Sequence, residues 1–433
     1  MRHRAQFYFF FAFFLWSTQA LAGGRLIVRI NGGLPIAKAA CLLAGCTVTE
    51  SLDGALGQVF LVTPLNLLNL NTVLQVLSNA IGVVDVEPDL VATLVGSARD
   101  IPPALSDKAP VNYHGATVPE GYVNQPAAQI IRLPDASAMF PDAAGAGVVA
   151  VIDTGVDPSH PALAGVLLPG YDFTRNRVGA DEKLDVNMGG TLPAAASPPV
   201  WTSPNTAANV SQSTAAVVDG SSQYGDFGHG TMVAGVVHLA APTAKILPLK
   251  AFHSDGTGYT SDILRAIYYA IAQHANIVNM SFTLPGYSLE VATALNMATA
   301  TGMVLVAAAG NDGQQEMAYP AALWDVMGVA STNDNGQLST FSNYGPQLVW
   351  VAAPGEGVVT TYPFSTYAAG WGTSFSAPFV SGAAARLLSI NRWCDQYASS
   401  QATSHAQPMN PNAGHGQLDV FQTLEAWSQM AGQ

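Results

Sequence analysis

Five short apolar runs constrain this chain more than any other feature. Residues 148–152, 246–249, 277–280, 303–308 and 326–330 are almost free of polar side chains, and helix-like stretches at 261–274 and 289–300 lie among them. A strand without hydrophobic-polar alternation is one buried on both faces, and β and α elements in alternation place such strands in a parallel sheet. We therefore expect, for residues 129–433, an α/β fold: a mainly parallel sheet with helices on both faces.

Upstream the pattern differs. From residue 25 to about 95 the periodicity reads β-α-β-β-α-β, with Val73, Leu74, Val76 and Leu77 at helical spacing. That order is the split βαβ, ferredoxin-like plan, so residues 23–95 are expected to form a small α+β domain, its last strand running through 83–94. Residues 96–128 carry Pro102, Pro103, Pro110 and Pro119 without periodicity and read as a linker. Residues 191–222, rich in Ala, Ser, Pro and Thr, read as a surface insertion.

The first 22 residues read as a secretory signal peptide. Arg2, His3 and Arg4 precede an uncharged apolar run over 7–16, then an Ala20-Leu21-Ala22 exit. The run is about half of the ~20 residues a membrane span needs, so the product is expected outside the cell or in a periplasm. Export permits disulfides. Cys41 and Cys46 lie close enough to pair, although spacing alone does not fix the geometry, and Cys394 is then a partly buried thiol. Net charge is −13 with charged residues at 10%, and Lys and Arg do not cluster. That argues against a nucleic-acid partner.

Four segments carry chemistry. Asp153 follows directly on a buried run, at a strand end where ligand sites of parallel sheets gather. His229 stands between Gly228 and Gly230, which let backbone and substrate approach the imidazole. Ser374 opens a small-residue helix whose N–H groups suit a developing oxyanion. Asn311, on the Gly310-Asn311-Asp312-Gly313 turn, offers an amide N–H to the same oxyanion. A serine hydroxyl needs a base to take its proton and a third group to orient that base. His229 and Asp153 supply these parts.

In this order the four segments resemble the subtilisin-like serine peptidase family, over residues 129 to about 419. The resemblance implies a serine endopeptidase acting through an acyl-enzyme on Ser374, with protein or peptide substrates, no required cofactor, and a monomeric state. It implies that residues 23–95 are an inhibitory propeptide of a self-processing zymogen, cut within 96–128. It also implies substrate contacts from Ser281, Phe282 and Thr283 on one wall, and from Ala308 and Gly310 on the other. Met232 stands where the family usually has a second His and is expected to pack beneath the site. Phe282-Thr283-Leu284-Pro285 departs from the family's small and Gly-rich wall. Asp157, followed by Pro158, reads as a turn residue, and His160, His238, His253 and His274 as surface or structural. The family often binds calcium, but Asp172, Asp181, Glu182 and Asp185 match no defined ligand loop. They read as a solvated acidic loop, and no metal ligand is assigned. The alternatives are a non-catalytic binding protein on the same fold, or an α/β-hydrolase esterase. The latter needs G-x-S-x-G, which Gly372-Thr373-Ser374-Phe375-Ser376 lacks.

Overall fold

The computed structural model describes residues 24–65, 70–93, 102–186, 209–210 and 224–431. The expected signal peptide lies outside these residues, as does most of the 191–222 insertion.

The N-terminal domain comprises β1 (Leu26–Ile30), α1 (Gly33–Ala44), β2 (Cys46–Ser51), β3 (Val59–Pro64), α2 (Leu70–Ser78) and β4 (Val83–Pro88). Its sheet runs β2-β3-β1-β4 and its pairs are antiparallel: the ferredoxin-like plan. Side-chain alternation along β1 serves two cores at once. Leu26, Val28 and Ile30 pack with Ala37, Val73 and Leu77 under the helices. Ile27 joins Leu52, Val59 and Leu61 in the core of the larger domain. Each such side chain, fully buried, contributes ~1.5–3 kcal/mol. Cys41 and Cys46 form a disulfide between the end of α1 and the start of β2, and Cys394 is fully rather than partly buried.

The strand expected over 83–94 breaks in two. Pro88 ends β4, since proline has no N–H to extend a ladder. The next strand, β5 (Val91–Thr93), crosses to pair antiparallel with Thr257–Tyr259 of the larger domain.

Residues 102–128 do not form the linker expected from their prolines. They make a 3₁₀ turn at Pro103–Ser106, the hairpin β6 (Pro110–Tyr113) and β7 (Ala116–Pro119), α3 (Glu120–Val123) and the start of α4 (Pro126–Ile130). Tyr122 is fully buried and its hydroxyl donates to Gly235 O at 2.7 Å. The Gln125 side chain pairs with both backbone groups of Val359, at 2.7 and 2.9 Å. The prolines begin or end these short elements, as a missing N–H and a fixed φ allow. The segment belongs to the larger domain.

That domain continues through α5 (Leu133–Met139), β8 (Val148–Asp153), β9 (Tyr171–Asp172), β10 (Arg177–Val178), β11 (Asn209–Val210), α6 (His229–Ala240), β12 (Lys245–Lys250), β13 (Thr257–Tyr259), α7 (Thr260–Ala272), β14 (Ile277–Met280), α8 (Leu289–Ala300) and β15 (Val304–Ala308). It closes with β16 (Met327–Thr332), β17 (Val351–Pro354), β18 (Val358–Tyr362), β19 (Thr366–Gly370), α9 (Thr373–Ile390), α10 (Gln396–Thr403) and α11 (Val420–Ala431). The central sheet is ordered β10-β9-β12-β8-β14-β15-β16-β17. It is parallel throughout except for the edge pair β10–β9. Alternate residues of β8 feed opposite faces: Val149 and Val151 pack in the core under α6 and α9, Ala150 and Ile152 in the core under α7 and α8. The fold is α/β with both faces of the sheet covered. Among the described residues no helix is long and apolar enough to cross a membrane.

Candidate active site

The site lies where parallel strands end and helices begin. Asp153 is the last residue of β8, and its Oδ1 accepts from Thr154 N at 2.7 Å and His229 Nδ1 at 2.8 Å. His229 is the first residue of α6. The chain enters that helix through Gly228 at φ +91°, and a Cβ there would lie 2.3 Å from the Tyr362 ring. Only glycine suits both the left-handed turn and the close approach. Burial disfavours the imidazolium, yet Asp153, aided by Asp226 and Glu182, holds the His229 pKa above its ordinary value. The His229 Nε2, the nitrogen turned away from Asp153, makes no hydrogen bond among the described residues.

Ser374 is the second residue of α9, and the ring of the next residue, Phe375, lies 5.5 Å from the His229 ring. The Ser374 hydroxyl donates to Ser281 O at 3.0 Å rather than to His229. Ser281 Oγ in turn donates to Ser374 O at 2.9 Å and accepts from Asn279 Nδ2 at 2.9 Å. These bonds tie the exit of β14 to the start of α9. Asn311 Oδ1 accepts from both Thr373 N and Thr373 Oγ1 at 2.9 Å. Because a backbone N–H can only donate, this contact fixes which end of the amide is oxygen and leaves Nδ2 as the donor end.

The expected wall residues separate into distinct environments. Phe282 is only 1% exposed and packs 5.1 Å from the Phe252 ring. Its side chain is core, and only its backbone can face a substrate. Ala308 and Ser281 are likewise buried. Thr283 is half-buried. Its methyl lies 3.4 Å from where a Cβ of Gly310 would stand, and Asn343 Nδ2 lies 2.5 Å from that point. Gly310, at φ +98°, is thus a position that a larger residue cannot share. Met232 is fully buried.

The acidic segment differs most from its sequence reading. Asp172 and Glu182 are fully buried, so the loop is not solvated. Glu182 Oε2 accepts from Thr154 Oγ1 and Gly228 N, each at 2.9 Å. Its Oε1 accepts from Thr231 N at 3.1 Å and from Thr231 Oγ1. Burial pushes its pKa up to about 8, against the pull of these donors and of Lys250. The buried Lys250 ammonium donates to Thr154 O at 2.7 Å, Phe252 O at 2.6 Å and Asp185 Oδ2 at 2.7 Å, using all three of its protons. Arg175 pairs with Asp172 and Asp185. These carboxylates are engaged by protein donors, and no group of His, Cys, Asp or Glu among the described residues is arranged to hold a metal ion. Asp157 is buried, accepting from Ser159 N and Phe364 N and pairing with Lys183, as a turn anchor does. His160 is buried and bonds to Thr366 O, His238 is buried, His253 is half-buried, and His274 is exposed.

Sequence reasoning missed Glu182 and Lys250 as parts of the site. Lys250 carried a signal: it ends an apolar run in the same register as Asp153, its parallel partner in the sheet.

Residues 145–420 match the model of the subtilase family. A thermophilic serine proteinase of Bacillus sp. (strain AK1) is 35% identical over 244 residues, which cover 56% of this chain and 52% of the relative. Thermitase of Thermoactinomyces vulgaris is 33% identical over 261 residues, covering 58% of this chain and 78% of thermitase. The chain thus spans about half the length of the first of these relatives. Among solved structures, fervidolysin from Fervidobacterium pennivorans, described as a keratinolytic enzyme related to subtilisin, superposes with a TM-score of 0.70 at 20% identity. The match covers 93% of this chain and 61% of that one, and it speaks to the fold alone.

Proposed function

Because the chain belongs to the subtilase family, we propose that it is a secreted serine endopeptidase made as a self-processing zymogen. The observation that carries the activity is the Asp153–His229 bond of 2.8 Å, set beside Ser374 at the start of α9. The Ser374 hydroxyl turns from Ser281 O to His229 Nε2, which takes its proton as Oγ attacks the peptide carbonyl carbon. Asp153 accepts the His229 Nδ1–H and stabilises the imidazolium. Asn311 Nδ2 and the N-terminal N–H groups of α9 hold the oxyanion. Collapse breaks the C–N bond, and His229 delivers its proton to the leaving amine. A water then attacks the acyl-enzyme, with His229 again as base, releasing the acid and restoring Ser374. The test is Ser374→Ala: turnover of casein should fall about 10⁶-fold and fluorophosphonate labelling should vanish. Labelling that persists removes Ser374 from the mechanism.

Residues 24–93 act as the propeptide in this reading. The support is that β5 adds a strand to β13 and that the β1–β3 face packs on the larger domain's helices. Residues 102–128 are woven into the peptidase fold, so we place the cut between residues 93 and 102. N-terminal sequencing of active protein checks this, and Ser374→Ala should retain the N-terminal domain.

A further inference from the structure

We propose that Glu182 is a positioning residue for the catalytic pair, holding the segments of Asp153 and His229 at the separation their hydrogen bond needs. The proposal rests on the catalytic reading of Asp153, His229 and Ser374. Its basis is where the four hydrogen bonds of one carboxylate go. Thr154 immediately follows Asp153, Gly228 immediately precedes His229, and Thr231 lies two residues beyond it. Glu182 therefore stitches β8 to the entry of α6. The stitch is doubled, because Thr154 Oγ1 also accepts from Gly230 N at 2.9 Å. Lys250 holds Thr154 from the other side through its carbonyl.

A carboxylate taken fully out of water is costly unless its oxygens are satisfied. Here the donors that satisfy it all belong to the two segments that carry the acid-base pair. Two segments 76 residues apart in sequence are fixed by one short rigid acceptor, which is how a reacting geometry is held within fractions of an ångström. Displacement of about 1 Å costs about 10²-fold in rate.

Glu182→Gln is nearly isosteric, but whichever way its amide turns, the NH₂ faces either Gly228 N or Thr231 N, a donor against a donor. We expect kcat on a peptide anilide to fall about 10²-fold with KM changed by less than about twofold. The low-field proton resonance of the His229–Asp153 bond should shift or broaden. Thr154→Val removes both bonds of that hydroxyl, to Glu182 and from Gly230 N, and should cost about tenfold in kcat, and Thr154→Ser should rescue it. The proposal is overturned if Glu182→Gln keeps wild-type kcat and resonance. It is equally overturned if Thr154→Ser is as impaired as Thr154→Val, because the hydroxyl is then not what matters. Should Glu182→Gln fail to fold, the Thr154 pair alone decides. Wild-type protein that never takes a fluorophosphonate label would overturn the catalytic reading and this proposal together.

Discussion

Two clusters of carboxylates taken out of water are held under opposite arrangements. Beneath the candidate active site, Asp172, Glu182 and Asp185 are matched by Lys250, Arg175 and backbone N–H groups of the same domain. At the seam between the domains the partners come from opposite sides. Arg29 of β1 makes a two-pronged bond, at 2.9 and 2.6 Å, to Glu290 of α8. Glu87 of β4 accepts from Ser288 Oγ and Leu289 N at the start of α8. Asp89 accepts from Ser261 N and Oγ at the start of α7 while paired with Arg25. Carboxylates at helix N-termini meet free N–H groups and the positive dipole end. The first network is built to stay closed. The second desolvates charges only while the domains are docked, so parting returns them to water.

The sharpest way to test the contrast is to remove a cation from each network. Lys250→Met leaves two carbonyls without their donor and Asp185 with Arg175 alone inside a permanent fold, an expected loss of about 3–5 kcal/mol. Urea unfolding in a Ser374→Ala background measures it, and an unchanged midpoint would break the comparison. Arg29→Ala strands Glu290 only in the docked form, weakening docking by about 2–5 kcal/mol. The catalytic rate of the processed enzyme should not change. Retention of the cleaved N-terminal domain on gel filtration reads the first effect, and turnover reads the second.

pH should separate the networks next. Burial raises the Glu87 pKa to about 7, and those of Asp89 and Glu290 upward, in the docked form. A carboxyl raised on docking favours the docked state fully below its free pKa, near 4.5 for Glu87, and loses that contribution as pH climbs through 7. Affinity between the domains should therefore decline on the order of tenfold or more between pH 5 and 8, and a flat profile would contradict this. The most local effect is expected from Cys41→Ser with Cys46→Ser. Opening so short a loop costs about 2 kcal/mol and should lower the melting temperature of the N-terminal domain alone.

The two regions also differed in how far the sequence disclosed them. The parallel sheet was readable because strands buried on both faces, such as Val304–Ala308, leave uninterrupted apolar runs. Asp153, His229, Ser374 and Asn311 were singled out as candidates by the glycines and small residues beside them, and at Gly228 the crowding that calls for glycine is visible. Residues 102–128 were opaque because their elements are too short for any period to show. Phe282 was taken for a wall residue on the family resemblance of its segment, but only the fold shows the side chain turning onto Phe252. Glu182 was hidden for a different reason. A Glu in the charged stretch Asp181-Glu182-Lys183 looks solvated until a distant Thr154 and Thr231 close over it.

The split allegiance of β1 has a last consequence for the proposed zymogen. Ile27, Leu52, Val59 and Leu61 are covered by the larger domain, not by their own helices. Once cut free, the N-terminal domain carries this bare apolar face into water, losing much of what kept its sheet ordered. A loosened chain beside an active protease is itself a substrate. In the proposed zymogen, activation would then run one way: the N-terminal domain would be consumed instead of re-binding, and the enzyme's own turnover would drive the ratchet.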